Sequence, residues 1–177
     1  MRMQTVFDYM DTYELKFCEV LNRGCRRWTI RKFFAAISRL GDGIFWYALM
    51  LLLPLMYGSA ALAASLHMAF VGATGFALYK YLKEHLVRQR PYITRGTLTL
   101  GTAPLDVYSF PSGHTLHAVS FTLIALSYFP QLSWILIPFA TLVALSRVIL
   151  GLHYPTDVLA GALIGALLAR VSFVLVA

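Results

Sequence analysis

Two long runs without a single Asp, Glu, Lys or Arg, Gly43 to Tyr79 and Val107 to Ser146, constrain this chain more than any other feature. One membrane crossing takes about 20 apolar residues, so each run is too long for one span and suits a pair. Pro54 and Gly58-Ser59 give the first run a place to turn, and "YFPQLS" at 128–133 divides the second. A last apolar stretch runs from Pro155 to Ala177. The fold expected is an all-α, polytopic membrane helical bundle of about five spans: near 42–57 and 60–84, two within 107–146, and one over 155–177. Composition agrees. Of the 177 residues 59% are apolar and only 13% charged, with a mean hydropathy of +0.68, whereas globular chains are nearer half apolar and about a quarter charged.

Residues 1–40 differ in character. Val6, Phe7, Met10, Tyr13, Phe17, Val20 and Leu21 recur at helical spacing, with Asp8, Asp11, Glu14 and Glu19 between them. Gly24 is a break. Beyond it Arg26, Arg27, Arg31 and Lys32 oppose Trp28, Ile30, Phe33, Phe34 and Ile37, a pattern that suits the headgroup layer or packing on the bundle. The organisation expected is therefore an amphipathic interfacial arm, 1–40, before a transmembrane domain, 41–177. No secretory signal is expected, because the start is rich in acids and lacks an early apolar core. The net charge of +7 does not imply a nucleic-acid partner, since membrane-length apolar runs interrupt the basic residues. Cys18 and Cys25 form neither a disulfide framework nor a metal pattern and read as buried or interfacial thiols.

With five spans, the loop after span 2, the start of span 3 and the link between spans 4 and 5 share one membrane face with the arm. Three charged segments fall there. "KEHLVRQRP" holds Lys83, Arg90 and Pro91; "PSGH" is Pro111 to His114; "SRVILGLHYPTD" holds Ser146, Arg147, His153 and Asp157. Lys83, Arg90 and Arg147 supply three positive charges, and arginine forks match phosphate oxygens. Ser112 offers a hydroxyl, and Gly113 lets backbone N–H groups approach an anion. Pro111 is expected to start span 3, whose free N–H groups and dipole also favour an anion. His153 is the candidate nucleophile, because Asp157 follows closely enough to take its other ring N–H. His114 is the candidate acid and base. Phosphoryl transfer asks mainly for positioning and charge stabilisation. Three cations supply that without a metal or other cofactor, and no acidic cluster suits magnesium.

On these residues the sequence resembles the type-2 phosphatidic acid phosphatase superfamily, which also includes vanadium haloperoxidases. The family signature is Lys-x6-Arg-Pro, then Pro-Ser-Gly-His, then Ser-Arg-x5-His-x3-Asp. Lys83 with Arg90-Pro91, the quartet 111–114, and Ser146-Arg147 with His153 and Asp157 match it at every position. The resemblance implies a helical bundle, phosphate binding by Lys83, Arg90, Ser112, Gly113 and Arg147, and catalysis by His114, His153 and Asp157. It also implies a metal-independent lipid phosphatase with a membrane lipid phosphate as its partner. Members commonly have six spans, and here the arm stands where a first span would be.

Other residues read as structural. His117 lies three after His114 and can face the same pocket; His67 suits a hydrogen-bonded packing role, His85 a loop. Asp106 could orient a cation, although a solvated loop acid is the default, and Tyr92 and Tyr108 read as interface anchors. Of 15 Lys and Arg residues, Arg170 alone falls clearly on the face opposite the three segments. Positive residues favour cytoplasmic loops, which puts the site on the cytoplasmic side of the cell membrane, whereas the bacterial relatives resemble outward-facing phosphatases. The function expected is hydrolysis of a lipid phosphate or diphosphate through a phosphohistidine. A phosphatase of soluble esters and a non-catalytic lipid-binding protein are the alternatives.

Overall fold

In a computed structural model that describes residues 3–176, the chain is helical almost throughout, with no strand among those residues. α1 (Met3–Asn22) ends in a 3₁₀ turn, Arg23–Arg26, at the expected Gly24 break. α2 (Trp28–Arg39) runs into α3 (Phe45–Tyr57) through a widened π turn, Leu40–Ile44. Gly43 takes a φ of 130° there, a conformation that side chains with a Cβ avoid. Pro54 lies inside α3, and the reversal comes at Gly58, with φ 76°. α4 (Leu62–His85) leads into the polar loop, which contains the short α5 (Pro91–Thr94). α6 (Gly113–Tyr128) and α7 (Ser133–Ile149) are separated by a 3₁₀ turn at Pro130–Leu132, and α8 (Pro155–Val176) follows.

α6 is the hub, packed against α4, α7 and α8. Trp46, Leu53, Met68, Val71, Phe121, Ile124, Leu136 and Val143 form the core around it. The α6–α8 approach depends on two glycines one turn apart. A Cβ at Gly161 would stand 2.5 Å from the Ser112 carbonyl oxygen, and one at Gly165 would stand 2.3 Å from that of Leu116. Small residues at such spacing let membrane helices touch backbone to backbone.

Among the described residues, four segments are long and apolar enough to cross a membrane: Trp28–Tyr57, Ser59–His85, Pro130–Ile149 and Pro155–Leu175. The fifth expected span differs. α6 has 16 residues, about 24 Å at 1.5 Å per residue, against about 30 Å of hydrocarbon. Its start is fixed by the Ser112 cap and its end by Pro130, so five full-length spans are not found. The first span also starts earlier than expected, because α2 and α3 run on through the kink. α2 packs on α7, which favours the bundle-packed reading of the basic stretch.

Candidate active site

The C-terminal end of α4, the N-terminal end of α6 and the α7–α8 link meet at one end of the bundle. Each is shaped locally for this. Ser112 is the N-cap of α6, its Oγ accepting weakly from the Thr115 N–H at 3.4 Å. Pro111 therefore precedes the cap instead of starting the helix. Serine is a favoured cap because its oxygen meets one of the helix's free N–H groups. Pro155 opens α8, where its missing N–H costs nothing. Asp157 reaches back from the first turn of α8 to accept the Tyr154 N–H at 2.8 Å. The Ser112 N–H donates to the Asp157 carbonyl at 3.0 Å, and the N–H groups of Leu152 and His153 both donate to the Arg147 carbonyl.

A cavity of about 620 Å³ opens here. Lys83, Arg90, Gly113, His114, Arg147 and His153 line its polar end. Ser112 and Asp157 stand behind that wall, each fully buried. All eight residues singled out from the sequence thus gather at one place, six on the wall and two supporting it.

Lys83 Nζ donates to Asp106 Oδ1 at 2.6 Å and to the Tyr108 carbonyl at 2.9 Å. Arg90 donates to the same Asp106 oxygen at 2.5 Å and to the Leu152 carbonyl at 2.7 Å. Asp106 is therefore not a solvated loop acid but the shared counterion of two cavity cations. Arg147 donates to Ser38 Oγ, and its buried Nε has no partner among the described residues.

Arg90 also lies 3.4 Å from His153 Nε2. A guanidinium can only donate, so Nε2 presents its lone pair and Nδ1 carries the proton. Nδ1 lies 3.6 Å from Asp157 Oδ2. Burial, then the charges of Arg90, Arg147 and Lys83, holds the His153 imidazole well below the usual histidine range, so the ring is neutral at neutral pH. His114 Nε2 lies 3.5 Å from Asp42 Oδ1. His117 also lines the cavity, but its ring nitrogens face the carbonyls of Gly113 and Gly72 at 2.9 and 3.1 Å. His67 pairs with Tyr128 and Ser172 in the helix interior, the packing role expected.

Sequence reasoning missed two residues. Asp42, between two glycines at the mouth of an apolar run, sits on the π turn and lines the cavity. Arg88 is fully buried and donates to Asp157 Oδ1 at 2.6 Å. Burial works against its charge, but Asp157, Glu14 and Asp11 outweigh that and raise it above the ordinary arginine range. The signal was available in the acids of α1, spaced Asp11 to Glu14 on one helical face.

From this polar end the cavity continues between α3 and α4 along Trp46, Met50, Ala69, Gly72, Phe76 and Phe121. A charged pocket with an apolar wing suits a molecule of mixed character.

Comparison with known proteins places the chain. The PAP2 superfamily profile matches residues 60–177. An undecaprenyl-diphosphatase from Sulfolobus acidocaldarius is 32% identical over 146 residues, which is 81% of this chain and 69% of that protein. The crystal structure of LpxE from Aquifex aeolicus superposes with a TM-score of 0.77 at 27% identity, covering 91% of this chain and 94% of LpxE. A transmembrane PAP2 type phosphatidylglycerolphosphate phosphatase from Bacillus subtilis gives 0.71 at 26%, covering 98% and 93%. With the profile over most of its length, a relative matched across two thirds and two solved structures sharing its helices, one of them a transmembrane PAP2 type phosphatase, this multi-pass chain belongs to the membrane lipid phosphatases of the PAP2 superfamily.

Proposed function

We propose that this protein hydrolyses a lipid phosphate or diphosphate, without a metal, through a phosphohistidine at His153. The observation that carries the proposal is the cavity itself, whose cationic, two-histidine end opens directly into an apolar wing between α3 and α4. A soluble ester needs no such wing. The relative named undecaprenyl-diphosphatase makes a polyprenyl diphosphate the first substrate to try.

Lys83, Arg90 and Arg147 hold the phosphate oxygens, with the unspent Arg147 Nε among the donors. The first turn of α6 adds backbone N–H groups at Gly113, and Ser112 keeps that turn in place. His153 Nε2 attacks phosphorus. The N–P bond forms as the bond from phosphorus to the leaving oxygen breaks, and His114, which takes up its proton once the phosphate dianion offsets the surrounding cations, gives that oxygen its proton. His114 then takes a proton from water, whose oxygen attacks phosphorus. The N–P bond breaks, orthophosphate leaves, and His153 returns to its neutral form. Asp157 steadies the positive ring in between. The metal-free reading is supported by the three cations, which can offset the charge of the phosphate. The Lys and Arg distribution supports a site on the cytoplasmic side of the cell membrane.

Phosphate release from lipid phosphates, lipid diphosphates and a soluble ester, each with and without chelator, tests the reading. Lipid substrates should turn over far faster than the ester, chelator should change nothing, and His153→Ala should abolish release. Full activity in His153→Ala, or loss of activity on chelation, would falsify the mechanism.

A further inference from the structure

We infer that the N-terminal helix is part of the catalytic apparatus, with Asp11 and Glu14 acting through Arg88 as positioning residues for the Asp157–His153 pair. The inference rests on the phosphohistidine reading above.

Arg88 is where the two halves meet. Its NH1 donates to Asp157 Oδ1 at 2.6 Å and to Thr156 Oγ1 at 2.8 Å. Its NH2 donates to Asp11 Oδ1 and Glu14 Oε2, each at 2.6 Å, and its Nε reaches the same Asp11 oxygen at 3.0 Å. The guanidinium lies over the Tyr154 ring at 3.9 Å, with the Phe7 ring 5.1 Å away. Glu14 also grips α8 directly, accepting from the Thr156 N–H and from Thr156 Oγ1, both at 2.7 Å.

Asp157 is thus fixed at both oxygens, Oδ1 by Arg88 and Oδ2 by the Tyr154 N–H. Beside it lies His153 Nδ1, which is buried and has no hydrogen bond among the described residues. The 3.6 Å gap closes only when the ring turns or gains charge, and the carboxylate waiting for it cannot turn away. A lone Arg88 would cancel the charge of Asp157. With Asp11 and Glu14 the cluster holds three carboxylates against one guanidinium, so negative charge is left to stabilise the imidazole as it takes on phosphorus. Asp11 and Glu14 are mostly buried, where such interactions are weakly screened. Neither lines the substrate cavity. Their effect should therefore fall on chemistry and spare binding.

The experiment compares Glu14→Gln, Asp11→Asn and the double variant, purified in detergent, for kcat, KM and affinity for inorganic phosphate, read as competitive inhibition. Inorganic phosphate fills the cation cradle without bonding His153. The expected result is a kcat about tenfold lower in Glu14→Gln, the low end of what losing the hydrogen-bond partner behind a metal-bound histidine costs. KM and phosphate affinity should stay within about twofold, and Glu14→Asp should recover part of the rate. Asp11→Asn removes one partner only and keeps the comparison readable should the double variant fail to fold. Wild-type kcat in folded Glu14→Gln and Asp11→Asn overturns the inference. So does a loss of phosphate affinity in step with kcat, which is the mark of a merely structural arm. His153→Ala runs beside them: if it stays active the phosphohistidine reading itself falls, whereas an inactive His153→Ala with unaffected arm variants removes this inference alone.

Discussion

At the scale of single residues, the anion site is already marked by an anion. Asp106 Oδ1 stands where Lys83 and Arg90 converge, at 2.6 and 2.5 Å, and a phosphate oxygen needs those same donors. The side chain is about a third exposed, on the loop before α6, so it can swing out. Asp106→Ala removes an internal competitor. Charge-assisted hydrogen bonds contribute about 1.5–3 kcal/mol, and half of the upper figure is about tenfold in affinity. Vanadate should bind Asp106→Ala about tenfold more tightly, as read by inhibition; weaker binding would mean that Asp106 aligns the cations instead of occupying their site. The cationic residues and both histidines were legible in the sequence because lipid-length runs leave charges few places to be. Asp42 and Arg88 were not, since the acids of α1 call for a cation without saying which one the fold brings to them; Asp106 could be read as orienting a cation, but not as the shared counterion of two. Spacing placed His153 near Asp157, but it could not show that Arg88 occupies the other carboxylate oxygen.

At the scale of elements, the site is a matter of how closely α8 lies against α6. These two helices carry His114 at one start and Asp157 at the other, and Gly161 and Gly165 set the distance between them. A methyl group at 165 meets backbone, which cannot rotate aside. Overpacking of this kind costs about 1–3 kcal/mol. Gly165→Ala should lower the melting temperature in detergent and reduce kcat, because prising α8 from α6 draws Asp157 away from the first turn of α6. Unchanged melting and turnover would show that the helices can part without cost. The Gly161-x3-Gly165 spacing suits a close helix contact, but which helix comes that near is set by the fold. The short α6 was not readable, because an apolar run shows where lipid or protein interior can be without showing where a cap and a proline cut the helix. The kink at Leu40–Ile44 was hidden in the same way, since "GDG" reads as a break and the helix instead passes through it.

At the scale of the whole molecule, the asymmetry of charge gives the bundle two unlike ends. The turns at Gly58–Ala61 and Phe129–Leu132 hold no Lys or Arg, whereas the site end carries the loop and arm cations. Lys83, Arg90 and Arg147 are explained by phosphate and Arg88 by its carboxylates, so they say nothing about orientation. The basic residues of α2 and of the turn before it carry the argument instead, because no ion pair joins them to the bundle among the described residues. On the proposed reading they face the cytoplasm, the side on which positive residues are favoured. A reporter is available that does not depend on activity. Leu105 is exposed at the cavity mouth, and the two native thiols make a quiet background. Both are buried; burial pushes Cys18 up to about 12 and raises Cys25, whose Sγ donates to the Ile149 carbonyl. A Leu105→Cys variant should resist a membrane-impermeant maleimide in intact cells and react once the membrane is opened. Labelling of intact cells would instead put the cavity mouth outside, and the α2 cations would then have to be held there by anionic headgroups of the outer face.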